Sequence, residues 1–162
     1  MKRDTLDEIY KSYMDEVYRY LLFLCRNHYL AEDVMQETFY RAYLHLEDCP
    51  EERVKPWLFR VAHNAFVDIQ RKDTRNHTKA HDYFERLTDG VSAEDEAIKK
   101  EGLTELTTLI CNLPGKQQEA ILLYDFHGFS YDQSAEIMDV KVGYFKVLLF
   151  RARQKIRQER GV

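Results

Sequence analysis

Apolar residues recur at helical spacing from Leu6 to Leu46, with Ile9, Tyr13, Val17, Tyr20, Leu21 and Leu24 forming one stripe. Arg26-Asn27-His28 interrupts that stripe, so two helices are expected there. The run Asp48-Cys49-Pro50-Glu51-Glu52 reads as a loop. Pro56 suits the first turn of a third helix, where its missing N–H would have no partner anyway, and the apolar pattern carries this helix to about Lys72. From Asp73 to about Ala97 the period fades into polar residues such as Asn76, Thr78, Asp89-Gly90 and Glu94-Asp95-Glu96, which marks a linker. A second periodic block starts near Leu103, punctuated by Leu113-Pro114-Gly115 and His127-Gly128. The expected fold is all-α: two small helical domains, residues 1–74 and 101–162, joined by a flexible linker over residues 75–100. No internal repeat or low-complexity tract stands out.

The second block has the layout of a helix-turn-helix. Gln117 to Phe126 reads as a helix stopped by Gly128, and Ser130 then caps a short helix, Tyr131 to Met138, with Gln133 at capping-box spacing. Asp139-Val140-Lys141 forms the turn, and a longer helix runs from Val142 to about Gln158. Its stripe of Phe145, Leu148, Leu149, Ala152 and Ile156 belongs to a core. The opposite face carries Gly143, Lys146, Val147 and Phe150, flanked by Tyr144, Arg151 and Arg153. Such a helix, laid in a major groove, offers cations to guanine edges and phosphates and apolar groups to thymine methyls. An ordinary amphipathic helix with a stray aromatic is the plainer alternative.

In the first block, the helix from Ala31 to Leu46 places Ala31, Val34, Met35, Thr38, Phe39, Ala42 and Leu46 on one side. Asp33, Gln36, Glu37, Tyr40 and Leu44 fall on the other, as an acidic face with exposed anchors that would suit a protein partner or would simply be solvated. The helix after Pro56 is expected to bury Leu58, Val61, Ala62, Ala65 and Ile69. Arg60, His63, Asn64, Val67 and Arg71 then point outward, with Trp57 near the start and Lys55 just before the proline. Flat side chains that stack on bases, cations that hold the backbone and an Asn that reads a base edge make a surface for single-stranded nucleic acid.

Charge changes this picture more than composition does. The net charge of -4 conceals segregation: 6 Lys/Arg against 12 Asp/Glu in residues 1–52, 6 against 2 in 53–75, 5 against 13 in 76–139, and 7 against 1 in 140–162. Two short basic stretches in an acidic chain suit two separate contacts with a polyanion, leaving the acidic parts for a basic protein surface. Cys25, Cys49 and Cys111 are odd in number and scattered, which indicates neither a disulfide framework nor a zinc ribbon and fits a reducing, cytoplasmic setting. The Met1 end lacks a signal-peptide pattern, and the apolar run from Tyr20 to Cys25 is too short to cross a bilayer. His77 and His81 lie four apart, as metal ligands on a helix can, but no HExxH or companion Cys/His cluster accompanies them, so neither metal nor other cofactor is expected.

Three blocks in order resemble the extracytoplasmic-function sigma factors of bacterial RNA polymerase: Ala31-Glu32-Asp33-Val34-Met35-Gln36-Glu37-Thr38-Phe39, Lys55-Pro56-Trp57-Leu58-Phe59-Arg60-Val61-Ala62-His63-Asn64, and Phe145-Lys146-Val147-Leu148-Leu149-Phe150-Arg151-Ala152-Arg153. The likeness spans nearly the whole chain outside the linker. It implies a non-enzymatic transcription initiation factor with no catalytic residues, acting in a stress or envelope response. It further implies that Asp33, Gln36, Glu37 and Tyr40 dock on the β′ clamp of core polymerase, with the β subunit also in contact. The loop from Asp48 to Lys55 and the surface of Lys55, Trp57, Arg60, His63, Asn64 and Arg71 would take the unpaired minus-ten strand. Tyr144, Lys146, Val147, Phe150, Arg151 and Arg153 would meet the minus-thirty-five duplex, and the linker would thread toward the polymerase active-site channel. An anti-sigma protein, often membrane-bound in such systems, is an implied partner.

Lys141 stands where that family often has a capping Ser or Thr, Val142 where it often has an acidic residue, and Leu148 where Arg is frequent. These departures bear on base preference rather than fold. The rival reading is a helix-turn-helix regulator that needs no polymerase, its N-terminal part serving for dimerisation or sensing.

Overall fold

The computed structural model describes residues 5–49, 52–75 and 104–160, and every regular element among them is helical. The chain divides into two compact units, Met1–Val91 and Ser92–Val162. The expected linker and the His77/His81 pair fall at 76–103, outside the described residues, apart from Arg75 at the linker's edge.

The first unit packs α1 (Leu6–Cys25), α2 (His28–Leu44) and α3 (Val54–Arg75) against one another, with a short 3-10 turn at Leu46–Asp48. Thr5 and Glu8 form a reciprocal capping box at the start of α1: the Glu8 N–H donates to the Thr5 hydroxyl and the Thr5 N–H to the Glu8 carboxylate. The predicted break is real. Arg26 adopts a left-handed conformation at φ 55°, and Asn27 then caps α2 by accepting from the Leu30 N–H at 3.1 Å. Ile9, Val17, Tyr20 and Leu21 meet Ala31, Val34, Phe39 and Ala42 in the core, and the Tyr20 and Phe59 rings lie 5.0 Å apart. Cys25 is buried there too, and burial pushes its thiol up to about 12, far from a reactive thiolate.

α3 departs from expectation in two ways. It begins at Val54, with Pro56 in its first turn as expected, but runs on to Arg75 and so enters the expected linker. Its buried residues are Leu58, Phe59, Ala62, Ala65 and Phe66, while Val61 and Ile69, expected in the core, are only half-buried. At 100° per residue the buried arc is turned by roughly 40° toward the two phenylalanines. α3 packs on α1 and α2 together, and the bulkier rings take the space between them.

The second unit comprises α4 (Thr104–Cys111), α5 (Gly115–Ile121), α6 (Tyr131–Met138) and α7 (Val142–Glu159). The helix expected over 117–126 starts earlier, at Gly115, and its last turn, Leu122–Phe126, widens into a π-helix in which the His127 N–H reaches back five residues to the Leu122 carbonyl at 2.9 Å. Gly128, at φ 76°, ends the segment. Ser130 and Gln133 form the expected capping box. Phe145, Leu148, Leu149, Ala152 and Ile156 of α7 are all buried, as their period implied. Lys141 occupies the N-cap of α7 without a side-chain capping bond.

The tight turn between α6 and α7 depends on Asp139, which is left-handed at φ 55°, ψ 49°. Asp tolerates this region better than a residue that cannot bond locally. Asp139→Ala should therefore lower stability by about 1 kcal/mol, and Asp139→Gly should restore most of it, as read from the thermal unfolding of the full chain. An unchanged midpoint in the alanine variant would show that the turn carries no strain.

Candidate nucleic-acid interface

Along α3, Trp57, Arg60, Val61 and Asn64 occupy one arc of the helix, next to the buried one. They face Arg41 and His45 at the end of α2 and Asp48 of the 3-10 turn across a cleft of about 400 Å³. That volume lies in the ~300–1,000 Å³ range that holds small ligands. The walls combine an indole for stacking, two guanidinium groups for phosphate and an exposed amide with both donor and acceptor. Turning the core arc toward Phe59 and Phe66 is what leaves Val61 to line this cleft rather than fill the core.

Of the six single-strand candidates, the cleft brings together Trp57, Arg60 and Asn64. Lys55 instead reaches α1, where its ammonium pairs with Glu16 at 2.9 Å. His63 is half-buried beside the core, and Arg71 is exposed two turns beyond Asn64; neither lines the cleft. Arg41 and His45 join the cleft without having been among the candidates, and Asp48, the first residue of the loop expected to take the strand, joins it too. Arg41 lies on the flank of α2, and only the packing of α2 on α3 reveals its role: its Nε donates to Glu37 Oε1 at 2.9 Å and one Nη to Asp68 of α3 at 2.8 Å. Partial burial works against the charge on Arg41, but the hydrogen bonds to Glu37 and Asp68 outweigh it and raise its pKa above the ordinary value.

The outer face of α2 exposes Asp33, Gln36 and Tyr40. Glu37 sits at the edge of that face, turned toward Arg41. Tyr40 is 59% exposed and Tyr43, outside the expected set, 63%; with Leu44 they place apolar anchors among acidic groups. Tyr43 was legible as the i+3 neighbour of Tyr40.

In the second unit, Tyr144, Lys146, Val147, Phe150 and Arg151 are all exposed on α7, and Phe150 is 64% accessible. Arg153 differs: it holds Asp125 of the π-turn in a two-pronged pair at 2.7 and 3.3 Å and lies 5.3 Å from the Tyr124 ring. Its hydrogen bond to Asp125 raises its pKa. Tyr124 in turn stacks on Tyr131, with ring centroids 4.6 Å apart and planes 4° from parallel, and Lys146 Nζ lies 5.3 Å from the Tyr131 ring. The ladder Arg153–Tyr124–Tyr131–Lys146 ties the π-turn to both helices of the helix-turn-helix. Lys116 lies 5.7 Å from the Tyr144 ring and anchors the start of α5 to α7 in the same manner.

Among the described residues no cluster of His, Cys, Asp and Glu could hold a metal ion, and no helix is long and apolar enough to cross a membrane.

Family models described as Sigma-70 region 2 and Sigma-70, region 4 match residues 9–76 and 103–156. The chain is 41% identical to the ECF RNA polymerase sigma factor SigM of Bacillus subtilis (strain 168), over 98% of each chain. It is 28% identical to SigW of the same organism, over 97% of this chain and 89% of SigW. Among solved structures it resembles the sigma factor RpoE, crystallised with the anti-sigma factor NepR from Bartonella quintana, with a TM-score of 0.72 and 22% identity over 94% of each chain.

Proposed function

Because this chain belongs to the extracytoplasmic-function family of RNA polymerase sigma factors, a family of non-enzymatic initiation factors that bind core polymerase and promoter DNA, we propose how its surfaces divide that work. A stand-alone regulator does not fit a chain alike to a sigma factor from end to end. The face of Asp33, Gln36, Glu37 and Tyr40, extended by Tyr43, docks on the β′ clamp. The cleft of Trp57, Arg60 and Asn64 takes a base of the unpaired minus-ten strand, with Lys55, His63 and Arg71 on its approaches. The α7 face of Tyr144, Lys146, Val147, Phe150 and Arg151 meets the minus-thirty-five duplex. Arg153 serves it from behind by orienting the tyrosine pair under Lys146.

The domains that carry these surfaces are residues 1–74 and 101–162, joined by the 75–100 linker. The chain works in the cytoplasm beside the polymerase. An anti-sigma factor restrains it by covering the exposed anchors of α2, and a stress or envelope signal releases it.

The observation that carries this reading is the cleft itself. Extruding a base costs a few kcal/mol, and a site that stacks on it and bonds its edge offsets that cost. Asn64→Ala should therefore leave holoenzyme assembly and closed-promoter binding near wild type while impairing promoter opening. A template with a pre-melted bubble should recover part of the lost transcript, because the unpairing cost is already met. Permanganate reactivity of unpaired thymines, measured with transcript yield on duplex and bubble templates, tests this. If the variant opens a duplex promoter as well as wild type, the strand site lies elsewhere.

A further inference from the structure

Arg41 belongs to two surfaces at once. It lines the cleft with Asn64 and Trp57, yet its guanidinium is held by one carboxylate from the outer region of α2 and another from α3. Glu37 takes its Nε and Asp68 takes one Nη, so part of the planar fork of five N–H donors is committed to carboxylates while both bonds stand. The local balance is two negative charges to one positive, beside a cleft meant for a polyanion. Asp68 lies one helical turn past Asn64 on α3, and its side chain is 45% exposed. Glu37, 40% exposed, differs from it in place rather than in exposure: it sits at the edge of the α2 face with Asp33 and Tyr40, where a cation of a docked partner can compete for its oxygens.

We propose that Arg41 is a positioning residue that polymerase docking transfers from Glu37 to a phosphate of the captured strand, so that the cleft gains its full grip only in the holoenzyme. This rests on the strand-capture reading of the cleft and adds its regulation. With Glu37 drawn away, Arg41 and Asp68 are balanced in charge, and the Nε edge of the guanidinium is free to donate to a phosphate. The free chain would then bind unpaired DNA weakly, which keeps it from occupying single strands before it has met the polymerase.

Glu37→Gln imitates the docked state in the free chain, since it removes the charge that holds Arg41. The test is fluorescence anisotropy of a fluorescein-labelled single-stranded DNA of mixed sequence, titrated with full-length chain at several salt concentrations. Glu37→Gln should tighten binding on the order of five- to tenfold and steepen the slope of log K against log salt by about 0.7, the increment for one added phosphate contact on a single strand. Adding Arg41→Gln should remove both gains. A gain that persists without Arg41 would be a general charge effect and would overturn the proposal, as would unchanged affinity and slope in Glu37→Gln. That single substitution carries the test should Arg41→Gln fail to fold. Asn64→Ala in the Glu37→Gln background separates the two levels: weaker binding supports the strand site whatever Arg41 does, whereas no loss overturns the strand-capture reading and this proposal with it.

Discussion

Reversing charge at Asp33 and Glu37 together, as Asp33→Lys and Glu37→Lys, is expected to abolish association with core RNA polymerase while the chain remains folded. Close charge pairs at protein interfaces couple by about 1.5–7 kcal/mol. Two lost pairs replaced by repulsion should thus weaken docking by more than about 3 kcal/mol, over a hundredfold. The fold should survive because Asp33 is exposed and the Glu37–Arg41 pair is a partly solvated i,i+4 contact, of a kind that contributes ~1 kcal/mol or less. Asp33→Lys alone should show much of the loss without disturbing Arg41. Co-purification with core enzyme is the measurement, with helical content checked by circular dichroism. Undiminished recovery of the double variant would remove the clamp from this face of α2.

The second large effect belongs to α7. Phe150 is too exposed to support the fold appreciably, so Phe150→Ala should leave thermal stability almost unchanged. It should nonetheless weaken use of the upstream promoter element by about 1–3 kcal/mol if the ring meets a base. Lys146→Ala should cost a similar amount, since Lys146 is exposed on the same face and already held over the Tyr131 ring. Transcription from templates with an intact or a scrambled upstream element distinguishes base from backbone contact. Losses confined to the intact element mean base reading. Equal losses on both, with a flatter salt dependence, would reduce Lys146 to a phosphate contact.

The parts of the fold legible in the sequence are those where one local signal acts alone. The break at Arg26-Asn27-His28 and the Ser130/Gln133 box follow from backbone chemistry within four residues, and both stand where expected. The α7 core stripe was equally clear because one side of that helix is apolar and the other basic. α3 was harder to read, since Phe59, Val61, Phe66 and Ile69 are all apolar and only packing against α1 and α2 decides which are buried. The same holds for charged groups. Arg41 and Asp68 are twenty-seven positions apart, and Arg153 and Asp125 twenty-eight, so no sequence period could pair them.

The widened turn at Leu122–Phe126 has a consequence for how this chain should be aligned with its relatives. A π-turn holds one residue more than the α-helical turn it replaces. Deleting a single residue there would leave an ordinary α-helical turn and keep the helix-turn-helix in about the same register relative to α5, because both kinds of turn span one revolution. The change would fall on the turn itself, which carries Tyr124 against Tyr131 and Asp125 against Arg153. A one-residue gap at this point in a relative therefore marks an α-turn in place of the π-turn, not a shift of the recognition helix, and the two chains should be matched residue for residue on either side of it.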